Sequence, residues 1–238
     1  MRQPLWRTSY DCEPEYHRIA KTNKMQTNSV IDLSHHNAPV DLARARGDGI
    51  QAVIHKASQG VVYTDPQYVY RKHAAQQLGL LWGAYHFGDG TDGRTQAEHF
   101  LTASRADDNV LCVLDLEENT EGGDTISLVQ AYDFLNCVKN RTGRWPVLYG
   151  GWYLRTLVQG KPDAILNNCP LWVSDYRGTN EPVIPTGWST WNLWQYTDGT
   201  NGSAPFTVAG IGKCDRDLFN GTPDELATFW HGVKAQAL

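Results

Sequence analysis

Hydrophobic and polar positions are unevenly organised along this chain. Residues 1–28 show neither helical nor strand periodicity and are polar throughout, so they read as a poorly ordered arm. From Val30 onward, short apolar runs alternate with longer amphipathic ones. Apolar runs at 30–33, 52–56, 81–87, 110–116, 146–149, 171–174 and 192–196 predict strands, and a weaker run at 213–217 predicts an eighth. Amphipathic stretches at 42–46, 66–77, 94–104, 126–141, 152–159 and 223–230 predict helices. Local signals mark several ends. Asp65-Pro66 reads as an N-cap with proline in the first turn, Gly79 follows that helix, and Thr142-Gly143 closes the longest one.

Strands alternating with helices make parallel β-α units. Eight of them in about 210 residues suit one closed barrel better than an open sheet. The expectation is therefore an α/β fold: a single irregular, TIM-like (β/α) barrel over residues 29–238, with its site at the C-terminal ends of the strands. The Gly/Pro-rich loops at 175–189 and 197–212 are expected on that active face. Met25, one of two methionines, stands just before the first strand run. Translation starting there would leave the first 24 residues dispensable.

Composition narrows the function. A chain of 238 residues with 41% hydrophobic and 20% charged positions is neither disordered nor collagen-like. Its 21 Lys and Arg against 26 Asp and Glu give a net charge of -5, which argues against nucleic acid or an anionic membrane as partner. No apolar run approaches the ~20 residues of a membrane span, and the N-terminus lacks the apolar core of a signal peptide. Cys12, Cys112, Cys137, Cys169 and Cys214 are widely spaced with no CxxC pair, so free thiols are expected and no disulfide is required.

The strongest local signal is Val110-Leu-Cys-Val-Leu-Asp-Leu-Glu-Glu118. Alternation along a strand puts Leu111, Val113, Asp115 and Glu117 on one face, so two acids end an otherwise buried strand. Such a strand could simply be entering solvent. Yet the C-terminal strand ends are where barrels build active sites, and burying two ionised acids together is costly. Asp32 ends the first strand run and Asp215 lies in the last, its neighbour in a closed barrel. Four carboxylates converging would raise one another's pKa and keep at least one protonated near neutrality. Glycosidic cleavage needs that combination, with a proton for the leaving oxygen and negative charge facing an oxocarbenium-like centre. Tyr85, His86, Tyr149, Trp172 and Gln195 occupy the same strand ends and are the candidate sugar contacts. His86 and one of the His35/His36 pair are expected to position substrate or a carboxylate. Histidine spacing matches no metal fingerprint, and neither a phosphate loop nor a GxSxG elbow is present, so no metal or cofactor is expected.

Eight segments together carry a family resemblance: Ile31-Asp-Leu-Ser-His-His36, Ala52-Val-Ile-His-Lys-Ala57 with Gly60, Gly83-Ala-Tyr-His-Phe87, Leu114-Asp-Leu-Glu117, Leu148-Tyr-Gly150, Leu171-Trp-Val-Ser174, Leu193-Trp-Gln-Tyr196 and Asp215-Arg-Asp-Leu-Phe-Asn220. In this order they resemble the glycoside hydrolase family 25 muramidases, the Chalaropsis-type lysozymes, from Val30 to Trp230. The resemblance implies an irregular barrel that cleaves the β-1,4 bond between N-acetylmuramic acid and N-acetylglucosamine in peptidoglycan. It implies Glu117 as proton donor and Asp115 as its partner, with Asp32 and Asp215 completing the cluster. Gln59 departs from the acid that the family often carries there, and wall-binding repeats do not follow the match.

Asp115 and Glu117 lie too close on one strand face to leave obvious room for an inverting water. Substrate assistance by the 2-acetamido group is therefore the expected mechanism, with inversion through Asp32 or Asp215 as competitor. An inactive glycan-binding module and a metal-dependent polysaccharide deacetylase are the alternative functions. The expected setting is a monomer made in the cytoplasm and acting on the wall, like a phage endolysin or a non-classically exported enzyme.

Overall fold

The computed structural model describes residues 25–120 and 122–232. The expected arm therefore lies, for residues 1–24, outside the described residues. Its last two positions are already strand, because β1 spans Thr27–Leu33 and the Thr27 hydroxyl donates to the Gly221 carbonyl at 2.6 Å. Seven further strands complete the barrel: β2 (Ala52–Gln59), β3 (Leu81–Phe87), β4 (Val110–Asp115), β5 (Val147–Gly150), β6 (Leu171–Ser174), β7 (Leu193–Thr197) and β8 (Asp215–Phe219). Neighbours pair in chain order from β1 to β8, and β8 pairs with β1 to close the ring.

Seven strands run parallel, but β8 runs antiparallel to both β7 and β1. This corrects the expectation of eight parallel units. Residues 198–214 carry no helix, and an antiparallel neighbour needs only a return loop where a parallel one needs a crossover. The reversal has a consequence for the site. Asp215 reaches the same rim as Asp32 because it is the first residue of β8, directly opposite Asp32 in the register.

Helices α1 (Leu42–Gly47), α2 (Tyr68–Gln77), α3 (Gly93–Ser104), α4 (Leu128–Thr142), α5 (Trp152–Val158) and α6 (Pro223–His231) follow the predicted order. Helix α2 starts later than expected. Asp65 opens a turn, accepting from the backbone N–H of Gln67 and His35, instead of capping the helix. Helix α4 begins behind a capping box in which Ser127 and Gln130 satisfy each other's backbone N–H, and it ends at Gly143 with φ of 76°.

The apolar residues divide into two cores according to strand alternation. Ile31, Val53, Ala84, Leu114 and Val173 point outward against the helices, with Phe100, Phe134 and Leu135. Val30, Ile54, Leu111, Val113, Val147 and Leu193 point into the barrel. Helix α6 closes the barrel's N-terminal end by inserting Leu226 and Trp230. The Trp230 indole donates to the Trp82 carbonyl at 2.8 Å. A Cβ at Gly83 would stand 3.2 Å from this indole and 3.1 Å from Ile54, tighter than ordinary contact. With that end filled by α6, the acid-lined cavity lies at the C-terminal ends of the strands. No helix among the described residues is long and apolar enough to cross a membrane.

Candidate active site

At the open end the inward positions turn from apolar to polar. Asp32 follows Val30 on β1, Asp115 follows Val113 on β4, and Gln195 follows Leu193 on β7. Glu117 extends the inward face of β4 by one more step, after Leu116 donates its N–H to the Tyr149 carbonyl at 3.0 Å. Asp32, Asp115, Glu117 and Asp215 line one cavity of about 230 Å³. Tyr85, Tyr149, Trp172 and Gln195 form the rest of its wall, together with Tyr176 from the loop after β6. The Tyr149 and Trp172 rings meet edge to face, 4.6 Å between centroids.

His86 is not part of this cavity. Tyr85 faces inward, so its neighbour must face outward, and His86 is fully buried between β3 and the helices, stacked 4.9 Å from the Phe134 ring. Its Nε2 bonds the Gln96 side-chain oxygen at 3.0 Å, which can only accept, so Nδ1 accepts from the Ser58 hydroxyl at 2.9 Å. Burial drives this imidazole down to about 4, and it is a neutral strut between β2, β3 and α3. The His35 ring is likewise engaged elsewhere, 3.0 Å from the Asp65 carboxylate and tilted 38° against the His36 ring.

Two groups at the site escaped the sequence reading. Tyr176 sits in an irregular loop, where no periodicity tells which residue points inward. Asp217 lies two residues beyond Asp215 on the same face, so its signal was present in the strand alternation. It is fully buried beneath the cavity, where it accepts from the Trp172 indole at 2.7 Å.

Electrostatics follow from this crowding. Burial pushes Asp32 well above the usual carboxylate range, and the charges of Asp215 and Asp217 push it further. Asp115 is raised by burial and by Glu117, against the pull of Lys56. Glu117 is raised to about 7 by burial, with Lys56 lowering it and Asp215 raising it. Asp215 rises to about 6 through burial and the nearby Asp198. Lys56 ends the inward face of β2, its ammonium 2.7 Å from the Gln59 side-chain oxygen and 5.0 Å from the centre of the Phe87 ring. The site thus holds protons near neutrality beside carboxylates that ionise more readily.

Among the described residues no three His, Cys, Asp or Glu side chains are grouped to hold a metal ion. Cys112, Cys137, Cys169 and Cys214 are free; Cys12 lies outside the described residues. A larger groove of about 790 Å³ lies at the plugged end, lined by Trp145, Phe219 and Phe229 among others. It holds none of the raised carboxyl groups, so the chemistry belongs to the smaller cavity.

A closed (β/α) barrel whose mouth gathers protonated and ionised carboxyl groups among aromatic rings defines a glycoside hydrolase. Comparison with known proteins gives the family. The glycosyl hydrolases family 25 pattern matches residues 31–204. The chain is 30% identical over 211 residues to Lysozyme M1 of Streptomyces globisporus, covering 82% of this chain and 69% of that one. It is 28% identical over 185 residues to the N,O-diacetylmuramidase of Chalaropsis sp, covering 71% of this chain and 87% of that one. Among solved structures, the bacterial lysozyme from Streptomyces coelicolor superposes with a TM-score of 0.75 at 28% identity, over 88% of this chain and 98% of that one. A family GH25 lysozyme from Aspergillus fumigatus gives 0.74 at 29% identity, over 87% of this chain and all of that one. The chain belongs to the glycosyl hydrolases family 25 and is a lysozyme-type glycoside hydrolase.

Proposed function

We propose that this enzyme cleaves the β-1,4 bond between N-acetylmuramic acid and N-acetylglucosamine in peptidoglycan, with Glu117 as general acid and Asp115 as its partner. The observation that carries the assignment is the meeting of Glu117, Asp115, Asp32 and Asp215 in one cavity, with Glu117 held protonated near neutrality. Glu117 gives its proton to the leaving oxygen. The sugar's own 2-acetamido oxygen attacks C1 while the Asp115 carboxyl orients the acetamido group and faces the developing positive charge. Glu117, now ionised, then takes a proton from the water that opens the intermediate. Asp32 and Asp215 hold negative charge and protons at the same mouth. Tyr85, Tyr149, Tyr176 and Trp172 supply the surfaces against which a sugar ring packs.

Residues 29–238 act as one catalytic unit and a monomer, on glycan strands of the bacterial wall. The wall is where the enzyme acts.

Glu117→Gln keeps the shape and removes the proton, so kcat on peptidoglycan is expected to fall about 10²–10⁴-fold with the thermal transition unchanged. Near-normal turnover would remove Glu117 from the role. Mass spectrometry of sacculus digests is expected to find N-acetylmuramic acid at the new reducing ends. NMR of the first-formed anomer tests the substrate-assisted route: a β product is expected, and an α product eliminates it.

A further inference from the structure

Hydrogen-bond directions along one wall of the cavity are set by atoms that can only accept. The Trp172 indole N–H is taken from below by Asp217 Oδ1, at 2.7 Å. The Tyr149 hydroxyl donates to Gln195 Oε1 at 2.7 Å, and the Tyr176 hydroxyl donates to the same oxygen. An amide oxygen has no proton to return, so both phenolic protons are committed to it. Gln195 thereby turns its amide nitrogen to Asp32 and donates to Oδ2 at 2.6 Å. That direction requires Asp32 Oδ2 to be bare, with any Asp32 proton on the other oxygen. Asp32 stands opposite Asp215 and next to the Val30–Asp217 pair in the β1–β8 register. Asp217 Oδ2 is buried beneath them with no hydrogen-bond partner.

We propose that Gln195 is a positioning residue that fixes the Tyr149–Tyr176 wall as a hydrogen-bond acceptor, so that these hydroxyls receive a hydroxyl or amide N–H of the bound sugar and give it none. With an Asp32 proton facing Gln195, the amide would turn over and its NH₂ would donate to a tyrosine oxygen. Phenolic protons would then be released into the cavity, and the wall would become a donor. The proposal rests on the assignment of this cavity to glycan cleavage, but the direction of the bonds can be read in the free enzyme.

Ultraviolet resonance Raman of the full chain provides that reading, because the tyrosine ring doublet distinguishes a donating hydroxyl from an accepting one. Difference spectra against Tyr149→Phe and Tyr176→Phe isolate the two rings. Both are expected to show the donating signature. In Gln195→Leu both phenols lose their acceptor, and the donating signature is expected to disappear. The same variant is expected to raise KM on glycan fragments about tenfold, the scale of one misdirected buried hydrogen bond, with a smaller change in kcat. An accepting signature in the wild type overturns the proposal, as does an unchanged signature in a folded Gln195→Leu. Should that variant fail to fold, the wild-type and Phe spectra still decide. Wild-type protein inert on peptidoglycan with donating tyrosines would sink the glycan assignment alone.

Discussion

Glu117 keeps its proton because burial disfavours its charged form, with Lys56 opposing the effect and Asp215 adding to it, and the same burial sets its pH dependence. As a general acid it works only while protonated. The kcat/KM for peptidoglycan is therefore expected to decline as pH rises through about 7, where burial places this group. Lys56 opposes that shift, so Lys56→Met is expected to move the declining limb toward higher pH. A limb displaced downward would exclude this role for the lysine. At this scale the strand alternation carried much of the information. It placed Asp115 and Glu117 on one face, and the same rule rejects His86, which must point opposite to Tyr85. It cannot reach Tyr176, whose loop backbone has no period.

The elements that hold these residues contribute unequally. Helix α6 contributes no residue to the lining of the acid cavity, yet it fills the closed end of the barrel with Leu226 and Trp230. Trp230→Ala is expected to lower stability by about 3–5 kcal/mol in urea unfolding, with kcat little changed below the transition. Ser127→Ala removes half of the α4 capping box and is expected to cost about 1 kcal/mol in the same measurement. Existence and order of the elements were legible, because each strand–helix alternation is written in local periodicity. The direction of β8 was not. A strand of five residues has the same pattern read either way, and only its hydrogen bonds to β1 and β7 reveal which end carries Asp215 to the rim.

For the whole molecule, the acid cavity is a liability that pH exposes. Asp32, Asp115, Glu117, Asp215 and Asp217 all bind protons more tightly in the fold than in the unfolded chain. Their contribution to stability is complete at low pH and lost as pH rises through their folded values, which are about 6 for Asp215 and about 7 for Glu117. His55 and His86 work in the opposite sense, since burial lowers both to about 4. They favour the fold increasingly as pH rises from there to 6.5, and add no slope above it. Denaturant stability is accordingly expected to fall from about pH 6.5 to about 7.5, across the Glu117 value of about 7, and to fall less steeply in Glu117→Gln, which removes that titration. A flat wild-type profile over that range would contradict the account. The sequence by itself determined the eight strands, the barrel class, the four acids and the family, because these rest on periodicity and on residue types within short segments. Tertiary structure alone decided that β8 reverses, that Tyr176 joins the site, and which way its hydrogen bonds point. Those outcomes depend on which atoms from distant segments meet, and on how many of them can only accept a proton, which no local pattern records.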